Sequence, residues 1–187
     1  MHIALFGGRF DPPHNGHLAI AREILASQKQ IDEVWFLPDN QHQWNPILAS
    51  AQDRIKMLQQ MLEPRMRIET MAVVLGGMTE TLTVVRKLRE KYNHTFVFIC
   101  GSDQIPTFPK WTHWEELQKE LQFLIIARKG YPVAMLPKNC MLLEDANYTP
   151  LDDSATEIRN RIKNSKPITD LVPRKVEEYI IQEKLYK

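Results

Sequence analysis

The apolar positions of this chain follow two alternating rhythms. Unbroken apolar runs at residues 2–6, 34–37 and 95–100 each stop at a turn former: Gly7-Gly8, Pro38 and Gly101. Short runs bounded in this way predict strands buried on both faces. Between them apolar residues recur at helical spacing: Leu18, Ile20, Ala21, Ile24 and Leu25 from about Gly16, then Ile55, Leu58, Met61 and Leu62 across 50–62, then Leu82, Val85 and Leu88 across 79–92. Residues 66–69 predict a third strand, 123–127 a fifth and 140–143 a sixth, with a short helix over 115–121. Two helices, near 155–164 and 173–184, close the pattern. Strands alternating with helices predict an α/β fold with a mostly parallel sheet. Ligands of such sheets bind beyond the carboxyl ends of the strands, so the loops after strands one, two and four are the places to search.

Composition narrows the class. The 187 residues are 43% hydrophobic and 25% charged, which is ordinary for a globular chain long enough to bury a core unaided. No repeat or linker interrupts 1–187, so one domain is expected. The formal charge of +1 argues against nucleic acid or an anionic membrane as partner, although residues 154–187 carry eight Lys/Arg against five Asp/Glu. No apolar run reaches the ~18 residues of a membrane span, and residues 1–6 lack the basic start of a signal peptide. Cys100 and Cys140 are too few to staple a fold and are expected as reduced thiols in the cytoplasm.

The main chemical signal lies between the first strand and the first helix: Gly7-Gly8-Arg9-Phe10-Asp11-Pro12-Pro13-His14-Asn15-Gly16-His17. It is neither a Walker loop nor a dinucleotide fingerprint. Two glycines would let backbone approach a ligand, and the helix start offers free N–H groups and a positive dipole end. His14 and His17, three residues apart, can face one point. They could be metal ligands, but Gly16 between them suits a turn and no third ligand is near. They could be surface histidines, or donors to phosphate oxygens, the reading preferred here. Near the other end, Ser154-Ala155-Thr156-Glu157-Ile158-Arg159 reads as a capping box. A capped helix start with hydroxyls and an arginine one turn on is also an anion site. Asp152-Asp153 beside it would repel phosphate.

In these two segments the chain resembles the HxGH nucleotidylyltransferases. Gly8, Phe10-Asp11-Pro12 and His14-Asn15-Gly16-His17 match the first signature; Ser154, Ala155, Thr156, Ile158 and Arg159 match the second. The resemblance implies a Rossmann-like parallel sheet flanked by helices, with the helices of 154–187 completing a triphosphate site. It implies His14 and His17 as catalytic residues and ATP contacts from Gly7, Gly8, Arg9, Phe10, Ser154, Thr156 and Arg159. Mg²⁺ would bridge phosphate oxygens, with no metal site of the protein's own. Residues 98–103 and 107–111 resemble the nicotinate-nucleotide adenylyltransferases within that group. There Gly101 and Asp103 would hold the nucleotide ribose, Trp111 would stack on a pyridine ring, and Asn40, Gly77, Met78 and Thr79 would line the acceptor side. The implied reaction moves AMP from ATP to nicotinate mononucleotide, releasing pyrophosphate, in NAD biosynthesis. Two departures keep alternatives open. Asn40-Gln41-His42-Gln43-Trp44 lacks the basic residue usual in that subfamily, and Gly76-Gly77-Met78 stands where Ser-Tyr-Thr is usual. Nicotinamide mononucleotide, another phosphate-bearing acceptor, or an ATP-binding regulatory protein are the other readings. Oligomeric state is not legible.

Overall fold

Strand β1 (His2–Gly8) lies inside a parallel sheet in the computed structural model, which describes residues 1–41, 46–143 and 155–187. Its neighbours are β2 (Glu33–Pro38) and, beyond that, β3 (Met66–Ile68) on one side. On the other side come β4 (Thr95–Gly101), β5 (Gln122–Ile126) and β6 (Cys140–Leu142), giving the order β3-β2-β1-β4-β5-β6 among the described residues. Side chains alternate between two cores: Ala4, Phe6, Val34 and Phe36 enter one, Ile3, Leu5, Trp35 and Leu37 the other. Both faces are therefore dry, which is why these strands read as continuous apolar runs.

Helices α1 (Asn15–Ser27) and α2 (Ala51–Gln59) bring Leu18, Ile24, Met57 and Leu58 to the first core. The second core receives Ala72 of α3 (Met71–Leu75), Leu82, Val85 and Leu88 of α4 (Thr81–Lys91), and Leu117 of α5 (Trp114–Glu120). Phe108 joins them from a 3-10 helix, Ser102–Lys110. Helices α6 (Ala155–Lys163) and α7 (Arg174–Gln182) return to the first core through Ile158, Val176 and Ile180. The α/β parallel-sheet expectation holds, the sixth strand included. Two elements were not anticipated. Helix α3 is five residues long, too short for a helical period to show, and the 3-10 helix contains Pro106 and Pro109, which read as a turn. Among the described residues no helix is long and apolar enough to cross a membrane.

The chain steps outward from β1 to β3, then crosses to β4 on the opposite side of β1. The loops leaving β1 and β4 therefore diverge and open a crevice at the carboxyl ends of the strands. Gly7, one residue short of that edge, is required by packing: a Cβ there would sit 2.5 Å from the Phe98 ring. Gly7→Ala should destabilise the protein by about 1–3 kcal/mol through overpacking, measured as a lowered midpoint of denaturant unfolding with unchanged slope.

Candidate nucleotide site

The loop after β1 is anchored by an aromatic plug. Phe10 adopts a left-handed backbone (φ 49°), and its ring is 2% exposed, edge-on to Phe6, Phe36 and His17 at 5.7, 5.6 and 4.9 Å. The Phe10 ring is therefore core and holds the loop, so an ATP contact from this position falls to its backbone. A Cβ on Gly8 would approach the Phe10 ring to 3.3 Å, so Gly7 and Gly8 both make room for rings of this chain.

Polar ties fix the rest of the loop. Asp11 is 1% exposed; its carboxylate accepts from the Leu48 and Ala49 amides (2.7 and 3.0 Å) and from the Tyr186 hydroxyl (2.8 Å). Burial and the adjacent carboxylate together push the Tyr186 phenol far above its usual range. Fully buried Arg54 donates to the carbonyls of Arg9 (2.7 Å) and Asp39 (2.6 Å), clamping the loops after β1 and β2. Burial lifts the Asp39 carboxyl to about 6, although Arg54 and Arg9 oppose the rise. Arg54 escaped the sequence reading, but it shares the buried face of α2 with Met57 and Leu58. An arginine at an apolar position of a helix stripe was the available signal.

His14 caps α1, whose first amide donates to the Leu171 carbonyl at 2.9 Å. The His14 amide donates to Nδ1 of His17 at 3.2 Å, and the two rings lie 3.7 Å apart at 35°. A neutral His17 whose Nδ1 accepts must carry its proton on Nε2. Burial drives His14 down to about 3, with Arg128 adding to the effect. Burial also holds His17 well below its usual value, helped by His14 and then Arg128. Both imidazoles are thus neutral near pH 7. Nδ1 of His14 is buried with no hydrogen-bond partner among the described residues.

The two signature segments meet. Arg159 of α6 donates to the Asp11 carbonyl at 2.7 Å and to the Thr156 hydroxyl at 3.1 Å. Ser154, together with Asp152 and Asp153, lies outside the described residues, as do His42, Gln43 and Trp44. At the end of β4, Gly101 lies beneath Asp103 and Arg128: a Cβ there would fall 2.2 Å from Asp103 Oδ1 and 2.9 Å from Arg128 Nε. On the acceptor side, Asn40 Nδ2 donates to the Gly77 carbonyl at 3.1 Å, tying the loop after β2 to the turn before α4. Gly76 and Gly77 have φ of 71° and 61°, which side chains other than glycine rarely adopt. The Thr79 hydroxyl is spent on the carbonyls of Ala72 (3.1 Å) and Gly76 (3.3 Å), so it orders the turn, while Met78 is 62% exposed. Trp111 is half-buried, edge-on to Phe108 at 5.2 Å with its indole N–H donating to Thr107 at 3.2 Å, and it lines a cleft of about 540 Å³ with His113 and Trp114.

Comparison with known proteins agrees with this geometry. The profile of the family described as cytidylyltransferase-like matches residues 5–161. The nicotinate-nucleotide adenylyltransferase of Bacillus subtilis (strain 168) is 35% identical over 190 residues, covering 99% of this chain and 98% of its own. Among solved structures, the nicotinic acid mononucleotide adenylyltransferase of Plasmodium falciparum complexed with NaAD superposes with a TM-score of 0.85 at 22% identity, covering 99% and 97% of the two chains. The same protein complexed with APC gives 0.81.

The neutral histidines have a pH signature. An unfolded His14 takes up a proton near the ordinary histidine value of 6.5, whereas the folded one resists until about 3. The unfolded state therefore binds more protons across that window, and the contribution of His14 to stability is lost as pH falls through it. An NMR titration of the ligand-free protein should show no His14 midpoint between pH 8 and 5. In His14→Gln the melting temperature should fall less between pH 7 and 4.5 than in the parent.

Proposed function

The chain belongs to the nicotinate-nucleotide adenylyltransferase family and is a nucleotidyltransferase, and we propose that it moves AMP from ATP to nicotinate mononucleotide, releasing pyrophosphate, in the cytoplasm. The observation that carries this reading is the bond from Arg159 to the Asp11 carbonyl, which unites two signature segments 148 positions apart. The helices of 154–187 then complete a triphosphate site over the loop after β1. A phosphate oxygen of the acceptor attacks the α-phosphorus of ATP, and the bond to the β-phosphate breaks with its electron pair leaving on pyrophosphate. Both reactants are anionic, so alignment and charge neutralisation carry the catalysis, with no protein nucleophile.

Nε2–H of His17 and the His14 ring supply hydrogen bonds to phosphate as neutral imidazoles. Thr156 and Arg159, with Ser154, receive the leaving pyrophosphate. Mg²⁺ enters with ATP, held by phosphate oxygens and water. Gly101 and Asp103 take the ribose of ATP. For the acceptor, Trp111 offers a flat ring, while the turn held by Asn40 and Thr79 offers the Gly77 amide N–H to the pyridine carboxylate. The name of the Bacillus subtilis relative supports the acid rather than the amide as acceptor.

Pyrophosphate release with ATP and either nicotinate or nicotinamide mononucleotide tests the assignment. The acid should be preferred by at least ~10-fold in kcat/KM, since a site built for a charged partner loses heavily on an uncharged isostere. Equal or better use of the amide would overturn it. His17→Ala should lower kcat ~10²–10⁴-fold, and near-normal turnover in a folded variant would remove His17 from the mechanism.

A further inference from the structure

Neutral imidazoles leave the centre of the site short of positive charge. Transfer between two anions needs donors aimed at the phosphoryl group in flight, and Arg159 is already engaged by Thr156 and the Asp11 carbonyl. Arg128 follows the end of β5 and belongs to neither signature. Its position is fixed by backbone: its amide donates to the Ser102 hydroxyl at 2.9 Å, and that hydroxyl donates to the Tyr131 carbonyl at 2.8 Å. Its side chain crosses Gly101 and brings Nε to 3.7 Å from Oδ1 of Asp103, too long for a hydrogen bond. Nε is buried and has no hydrogen-bond partner among the described residues. The same guanidinium lies close enough to His14 and His17 to disfavour a proton on either. A cation paired with the carboxylate assigned to the ribose therefore also acts on the two histidines. The 5′ phosphate of a bound ATP is the group that lies between ribose and reaction centre.

We propose that Arg128 is a catalytic residue that contacts a non-bridging oxygen of the α-phosphate and supplies the fixed positive charge of the transition state. The inference rests on the adenylyl-transfer reading above. The new bond forms from the acceptor phosphate oxygen to the α-phosphorus, the bond to the β-phosphate breaks, and Arg128 keeps its protons throughout. Gly101 follows as a requirement of this arrangement, because any Cβ there would displace both Asp103 and Arg128.

The competing role is positional: Arg128 could serve only to hold Asp103. Parent, Arg128→Met, Arg128→Lys and Asp103→Asn are compared for pyrophosphate release with ATP and with each α-thio diastereomer of ATP, alongside melting temperature. Arg128→Met should lower kcat ~10²–10³-fold with KM for ATP changed less than ~5-fold, an effect on the transition state rather than on uniform binding. It should also shift the ratio of the two thio diastereomers by at least ~5-fold, and Arg128→Lys should restore part of the rate. Should Asp103→Asn reproduce the whole loss while Arg128→Met leaves the diastereomer ratio at the parent value, Arg128 acts only through Asp103 and the proposal fails. Near-parent kcat in Arg128→Lys together with Arg128→Met overturns it as well. A parent that releases no pyrophosphate with either mononucleotide instead refutes the reaction on which the proposal rests.

Discussion

Asp11 is a carboxylate held almost wholly out of water, and such a group is tolerated only when its oxygens are filled. Three donors from two distant stretches fill them: the Leu48 and Ala49 amides just before α2, and the Tyr186 hydroxyl after α7. Its carbonyl takes a fourth, from Arg159 of α6. Removing one partner would leave a buried charge uncompensated at a cost on the order of 3–5 kcal/mol. The loop after β1 is therefore committed to one shape before any ligand arrives. Arg54 adds the neighbouring constraint by binding the carbonyls of Arg9 and Asp39 with one guanidinium.

That rigid frame explains the state of the histidines. Phe6 and Phe10 wall the His17 ring, and His14 stacks on it. In so dry a place an imidazolium would lack solvent, so both rings stay neutral. Any hydrogen bond that a neutral ring makes there gains strength from the same exclusion of water.

The sheet was legible because both faces are covered: runs such as residues 34–37 have no polar member to break them. The two signature segments were legible because each joins a helix start to residues able to bind anions. What stayed hidden depended on distance in the chain. Arg54 looks like any helix-surface arginine until Met57 and Leu58 are seen to share its face. Arg128 sits in the unremarkable stretch Ala127-Arg128-Lys129-Gly130, and only the pairing of β5 with β4 carries it over Gly101. The Phe10 ring lies outside every apolar run, so its place in the core was hidden although it is 2% exposed. The packing reason for Gly7 was hidden too, since a Cβ there meets the Phe98 ring of a distant strand.

The contact between Tyr186 and Asp11 spans 175 positions. Synthesis therefore makes the loop after β1 well before the phenol that secures it. Until Tyr186 emerges, the Asp11 carboxylate lacks one of its three donors. Across that interval all six described strands are made while the loop is still unpinned by Tyr186. Closing so long a loop is also the kind of event that sets a slow folding rate. The final shape of the loop after β1 is in this sense acquired after the sheet rather than with it.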